Sequence, residues 1–85
     1  MRENYGIGTV KNEGETERYG LPERLAELRK RRRMSRVVLG QCCGLSKNVI
    51  ALYESGQTLP SVDSLVSLAE FFEVSTDFLL GRAEL

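Results

Sequence analysis

Residues 35–56 read SRVVLGQCCGLSKNVIALYESG, and in them one signal occurs twice. Ser35 offers a hydroxyl suited to capping a helix N-terminus. Val38, Leu39 and Cys43 recur at helical spacing, and Gly44 stands where a left-handed residue ends a helix. Ser46 then caps again, Val49, Ile50 and Tyr53 form the next apolar face, and Gly56 stops it. The spacing predicts helix 2 over 36–43, barely two turns long, and helix 3 over 47–55, joined by Gly44-Leu45-Ser46.

The same grammar extends outward. Upstream, Pro22 suits the first turn of a helix, and Leu25, Ala26 and Leu28 give one apolar stripe through helix 1, about 22–32, which ends in the basic run Arg29 to Arg33. Downstream, Gly56-Gln57-Thr58-Leu59-Pro60 is turn chemistry. Ser61 caps helix 4, about 62–73, in which Val62, Leu65, Leu68, Ala69 and Phe72 follow the i, i+3, i+4, i+7 pattern. Ser75 caps a last short helix, with Asp77 in its first turn and Phe78, Leu79 and Leu80 as its apolar face before Gly81. The expectation is an all-α domain of five short helices over 21–85. It follows a flexible N-terminal arm, 1–20, which holds half of the eight glycines and no apolar period.

Composition narrows the function. At 85 residues, 41% hydrophobic and 28% charged, the chain reads as one soluble domain. No apolar run approaches the roughly 18 residues of a membrane span, and 1–20 lacks the apolar middle of a signal peptide, so the expected location is the cytoplasm with no membrane partner. The chain has no histidine and only the adjacent pair Cys42 and Cys43, so a zinc site, a disulfide framework and imidazole catalysis are all excluded. No glycine-rich phosphate loop and no nucleophile with a visible base occur; no enzyme and no cofactor are expected. Twelve basic residues balance twelve acidic ones, so whole-molecule charge lends no support to nucleic-acid binding; only the charge of one face can.

Two short helices joined by a tight glycine turn are the helix-turn-helix layout, in which the second helix enters a groove while the first braces it. The segment from about Arg24 to Gly81 resembles the lambda-repressor-like, Cro/CI-type (XRE) helix-turn-helix family. The residues that carry the match are Arg24-Leu25, Leu28-Arg29, Ser35 with Leu39, Gly44-Leu45-Ser46, Ile50 with Tyr53-Glu54-Ser55-Gly56, Pro60-Ser61, Leu65 with Leu68-Ala69, and Val74-Ser75 through Leu79-Leu80.

The resemblance implies that helix 3 is the recognition helix, with Lys47, Asn48, Val49 and Leu52 facing base edges. Asn48 suits adenine, Lys47 guanine or a phosphate, and Val49 or Leu52 a thymine methyl. It implies phosphate contacts from Ser35, Arg36, Ser46, Gln57 and Thr58, and an internal ion pair between Arg29 and Glu54. It also implies a homodimer on a palindromic operator of double-stranded DNA, joined through the apolar end Phe78 to Leu85, and a transcriptional regulator acting as a repressor of bacterial, phage or mobile-element type. The chain departs from the family pattern in four places. Ala51 and Leu52 replace polar residues, Gly40 replaces an alanine, Cys43 replaces a core leucine, and Arg33 stands where a glycine often takes a left-handed backbone.

Each of these features also has a plainer reading. Arg31 to Arg33 are a phosphate patch or simply solvated charge. Cys42 and Cys43 are read as structural thiols, and Tyr53, Phe71, Phe72 and Phe78 as core residues. Glu23, Glu27, Glu70 and Glu73 are read as solvated surface. The alternative function is a protein-interaction module, an antirepressor or antitoxin partner, which the apolar pair Ala51 and Leu52 would suit.

Overall fold

The computed structural model describes residues 20–84; the expected arm, 1–20, lies outside them except for Gly20. Within the described residues there are five α-helices and no strand: α1 (Leu21–Arg31), α2 (Arg36–Cys43), α3 (Lys47–Ser55), α4 (Val62–Phe72) and α5 (Thr76–Leu79). None of them is long and apolar enough to cross a membrane. The bounds of α2 and α3 are those read from the sequence. α1 begins one residue early because Leu21 is buried in the core. α4 stops one residue early because Glu73 takes the left-handed conformation at φ 59°, which no glycine advertises.

Four serines start four helices. The Oγ atoms of Ser35, Ser46, Ser61 and Ser75 accept from the backbone N–H groups of Val38, Val49, Ser64 and Phe78 at 3.1, 3.1, 3.1 and 2.9 Å. Each such cap contributes about 1 kcal/mol, so four of them matter in a chain of short helices. α1 is the exception, with Gly20 before it, no side-chain cap and a proline in its first turn.

Every helix gives at least one residue to a single core: Leu21 and Leu25, Leu39, Ile50 and Tyr53, Leu68, Ala69 and Phe72, and Leu79. α2 packs on α3 and α4, and α1 on α3 and α5, so no helix is stable apart from the rest. Three residues placed on apolar stripes face outward instead: Val38, Leu80 and above all Val62, which is 75% exposed. Helical period identifies a face; it does not say where along that face the neighbouring helices end.

The α2–α3 turn is closed backbone against backbone. Gly40 is buried, a Cβ on it would overlap the carbonyl oxygen of Leu45, and the Leu45 N–H bonds back to the Gly40 carbonyl at 2.7 Å. Gly44, at φ 72°, then reverses the chain with no steric cost. A glycine at position 40, about 1 kcal/mol unfavourable in a helix interior, thus permits the close approach. Gly40→Val should therefore destabilise the domain by about 2 kcal/mol or more, seen as a lower urea midpoint at unchanged slope; an unchanged midpoint would mean that the turn is not tightly packed.

Candidate nucleic-acid interface

α3 divides its residues between two faces. Ile50 and Tyr53 are buried, and Val49, half-buried, packs against the core, so little of it is left for the outer side. Lys47, Asn48, Leu52 and Ser55 are exposed, with Ala51 half-buried among them. Of the residues expected to face base edges, Lys47, Asn48 and Leu52 therefore share the outward face and Val49 turns largely inward. Ser35 and Ser46 use an Oγ lone pair to cap α2 and α3, which leaves each hydroxyl proton able to donate outward. Gln57 and Thr58 are exposed in the turn after α3, and the Gln57 N–H bonds to the Leu52 carbonyl at 3.1 Å.

What holds α3 in place is one carboxylate. Glu54 Oε2 accepts from Arg29 Nε at 2.7 Å and Oε1 from Arg29 Nη2 at 3.1 Å, a bidentate pair whose side chains are 9% and 5% exposed. Arg29 Nη1 also donates to the Met34 carbonyl at 2.8 Å. The hydrogen bond with Glu54 raises the Arg29 pKa against the opposing effect of burial, so the guanidinium stays charged. Arg36, half-exposed at the start of α2, donates Nε to the same Glu54 Oε1 at 3.0 Å. This second pairing was missed in the sequence, where no spacing rule connects residues eighteen apart. It ties the first turn of α2 to the last turn of α3, and two arginines against one carboxylate leave a net positive charge there, with the Arg36 side chain half exposed.

The side chains of the basic run divide among several partners, with Lys30 to Arg33 all exposed. Arg29 points into the pair with Glu54, Arg31 bonds to Glu27 at 3.0 Å, and Arg32 lies 5.1 Å from the Phe71 and Phe72 ring centres. Arg32 also donates to the Phe71 and Phe72 carbonyls at 3.3 and 3.4 Å, closing the C-terminal end of α4. Arg33 takes the left-handed backbone expected of it, at φ 56°. Arg24 closes α5 in the same way: its guanidinium stacks 4.3 Å from the Phe78 ring centre and donates to the Phe78 and Ala83 carbonyls at 3.0 and 2.8 Å. Of the apolar end expected to join two copies, Phe78 is covered by Arg24, Leu79 is buried and Leu80 is exposed, while Leu85 lies outside the described residues.

The cysteines divide similarly. Cys42 is exposed and Cys43 half-buried against the core, where burial pushes its thiol pKa up. A hollow of about 260 Å³ is lined by Arg24, Glu27, Leu28, Arg31, Phe78 and Glu84, none of them on α3. Its arginines are already engaged by protein acceptors.

Residues 25–79 match the helix-turn-helix family. The transcriptional regulator AnsR of Bacillus subtilis (strain 168) is 42% identical over 60 residues, 71% of this chain and 52% of AnsR. The cryptic phage CTXphi transcriptional repressor RstR of Vibrio cholerae is 37% identical over 62 residues, 73% of this chain and 55% of RstR. The chain thus spans about half the length of these curated relatives. Among solved structures, the P22 c2 repressor in complex with a synthetic operator superimposes with a TM-score of 0.72 at 28% identity, covering 75% of this chain and 97% of that one. A restriction-modification controller protein of Aeromonas hydrophila superimposes with a TM-score of 0.65 at 27% identity, covering 71% and 91%.

Removing Glu54 leaves the buried Arg29 charge unpaired, so Glu54→Ala should cost about 3–5 kcal/mol in chemical denaturation. A loss below about 1 kcal/mol would mean that the pair does not organise α1, α2 and α3.

Proposed function

Because the chain belongs to the helix-turn-helix family, we propose that it is a sequence-specific DNA-binding transcriptional regulator, acting as a repressor by occupying an operator. The observation that carries this reading is the outward face of α3, where Lys47 and Asn48 stand exposed at the N-terminal end on a helix pinned from behind by Glu54. That end enters the major groove in helix-turn-helix proteins. Asn48 presents an amide for adenine, and Lys47 a charge for guanine or a phosphate. Ser35, Ser46, Gln57 and Thr58 contact the backbone, with Arg36 held by Glu54 so that its free nitrogens meet a phosphate. Zero net charge does not decide against this, because phosphates meet one face and not the whole molecule, and Glu54 is already paired with both Arg29 and Arg36. The AnsR, RstR and P22 c2 similarities support the same conclusion.

The regulator works as a homodimer on a palindromic site in the cytoplasm. Phe78 and Leu79 are occupied internally, and the exposed apolar side chains Leu59, Val62 and Val66, beside the loop that holds Gln57 and Thr58, provide the better surface for a second copy. A symmetric joint there sets two copies of α3 against one face of the duplex, with half-sites about 34 Å apart. No catalytic step belongs to this reading.

A fluorescent duplex carrying the site enriched by selection should bind selectively and lose affinity steeply as salt rises. Asn48→Ala should cost about 1–3 kcal/mol of that affinity and Lys47→Ala should reduce the salt slope. Association insensitive to salt, or to both substitutions, would instead favour the protein-interaction reading that the exposed Val37, Val38 and Leu52 suit. In sedimentation, Val62→Glu should shift the protein towards monomer with its fold intact; an unchanged dimer would place the joint elsewhere.

A further inference from the structure

The hollow of about 260 Å³ against α1 is built around a guanidinium that is held on three sides. Arg24 Nη1 donates to the Phe78 and Ala83 carbonyls, and the Phe78 ring covers one face of the group at 4.3 Å. The Arg24 side chain is only 17% exposed, so its direction is fixed by main-chain acceptors. Nη2 is left for the hollow. Its partner there is the Glu84 carboxylate, 3.4 Å away on a side chain that is 89% exposed. An ion pair that long and that open to water contributes little, so a competing anion displaces it at small cost.

Charge and shape say what kind of anion fits. Arg24 and Arg31 line the hollow with two positive charges, Glu27 and Glu84 with two negative ones. Withdrawing Glu84 leaves an excess of one positive charge, and Glu27, bonded to Arg31 at 3.0 Å, stays to repel a second negative charge. Leu28 and Phe78 supply hydrocarbon beside the cation. A closed cavity of about 150 Å³ holds a benzene ring, so the hollow has room for one ring and a carboxylate. We propose that it is a binding site for a small organic monocarboxylate with an apolar or aromatic body, whose carboxylate takes the place of Glu84 on Arg24 Nη2. The body packs on Leu28 and Phe78, and Glu84 is an internal competitor that the chain itself supplies. None of these residues lies on α3, so the site stands whether or not α3 reads DNA.

Benzoate is the probe, titrated into the isotopically labelled full chain while amide shifts are followed. Benzamide serves as its uncharged counterpart, and sodium chloride at the same ionic strength as the reference. Benzoate should move Arg24, Leu28, Phe78 and residues 81–84 along one saturable curve with a Kd of about a millimolar. Benzamide, which lacks the charge, should bind about tenfold more weakly. Glu84→Gln removes the competitor without touching the core and should bind benzoate about two- to fivefold more tightly. Shifts that rise linearly without saturating, equal binding of benzamide, or equal affinity in Glu84→Gln would overturn the proposal. So would perturbations that spread alike to Lys30, Arg33 and Arg36, since benzoate would then be responding to exposed positive charge in general.

Discussion

The Glu54 carboxylate is the constraint on which the rest of the structure depends. Three short helices meet at it: α1 through Arg29, α2 through Arg36 and α3, its own helix. Neither α2 nor α3, at eight and nine residues, has enough local hydrogen bonding to persist alone. Burying a charged pair is not in itself a route to stability, since desolvation offsets much of the attraction. It does fix orientation, because a bidentate arginine–carboxylate pair accepts few geometries. Here that orientation is the one in which the N-terminal end of α3 projects from the surface. The interior pair and the exposed face are two consequences of one placement of α3.

Backbone contact does for the turn what the carboxylate does for the helices. The approach of Gly40 to the Leu45 carbonyl sets the spacing between α2 and the start of α3, and the left-handed Gly44 makes the reversal possible. Ser46 then caps α3 directly after the turn. Any side chain at position 40 pushes on the segment that leads into Lys47 and Asn48, so the packing of a buried glycine and the direction of the outward face of α3 are mechanically linked.

Much of this is legible in the residues themselves, and for local reasons. A serine cap, an apolar stripe and a glycine stop are satisfied within a few residues, which is why the bounds of α2 and α3 and all four serine caps can be read directly. What depends on distant neighbours is not legible. Glu73 ends α4 in a left-handed backbone that no glycine marks. Val62 keeps helical period with the core yet has no neighbour over it. The basic run looks uniform as a string, but 100° between successive residues sends Arg29 to Glu54, Arg31 to Glu27 and Arg32 to the end of α4. For the same reason the engagement of Phe78 by Arg24, residues 54 apart in sequence, appears only once the chain is folded.

The central claim is that α3, braced by α2, is the surface that meets DNA. Amide chemical-shift mapping of the isotopically labelled protein titrated with its selected duplex tests it most directly. The account predicts perturbations concentrated at the first turn of α2, at Lys47 to Leu52 and at Gln57 and Thr58. Saturable shifts confined to the α1 and α5 surface around Arg24, Arg31 and Phe78, with α3 unmoved, would contradict it.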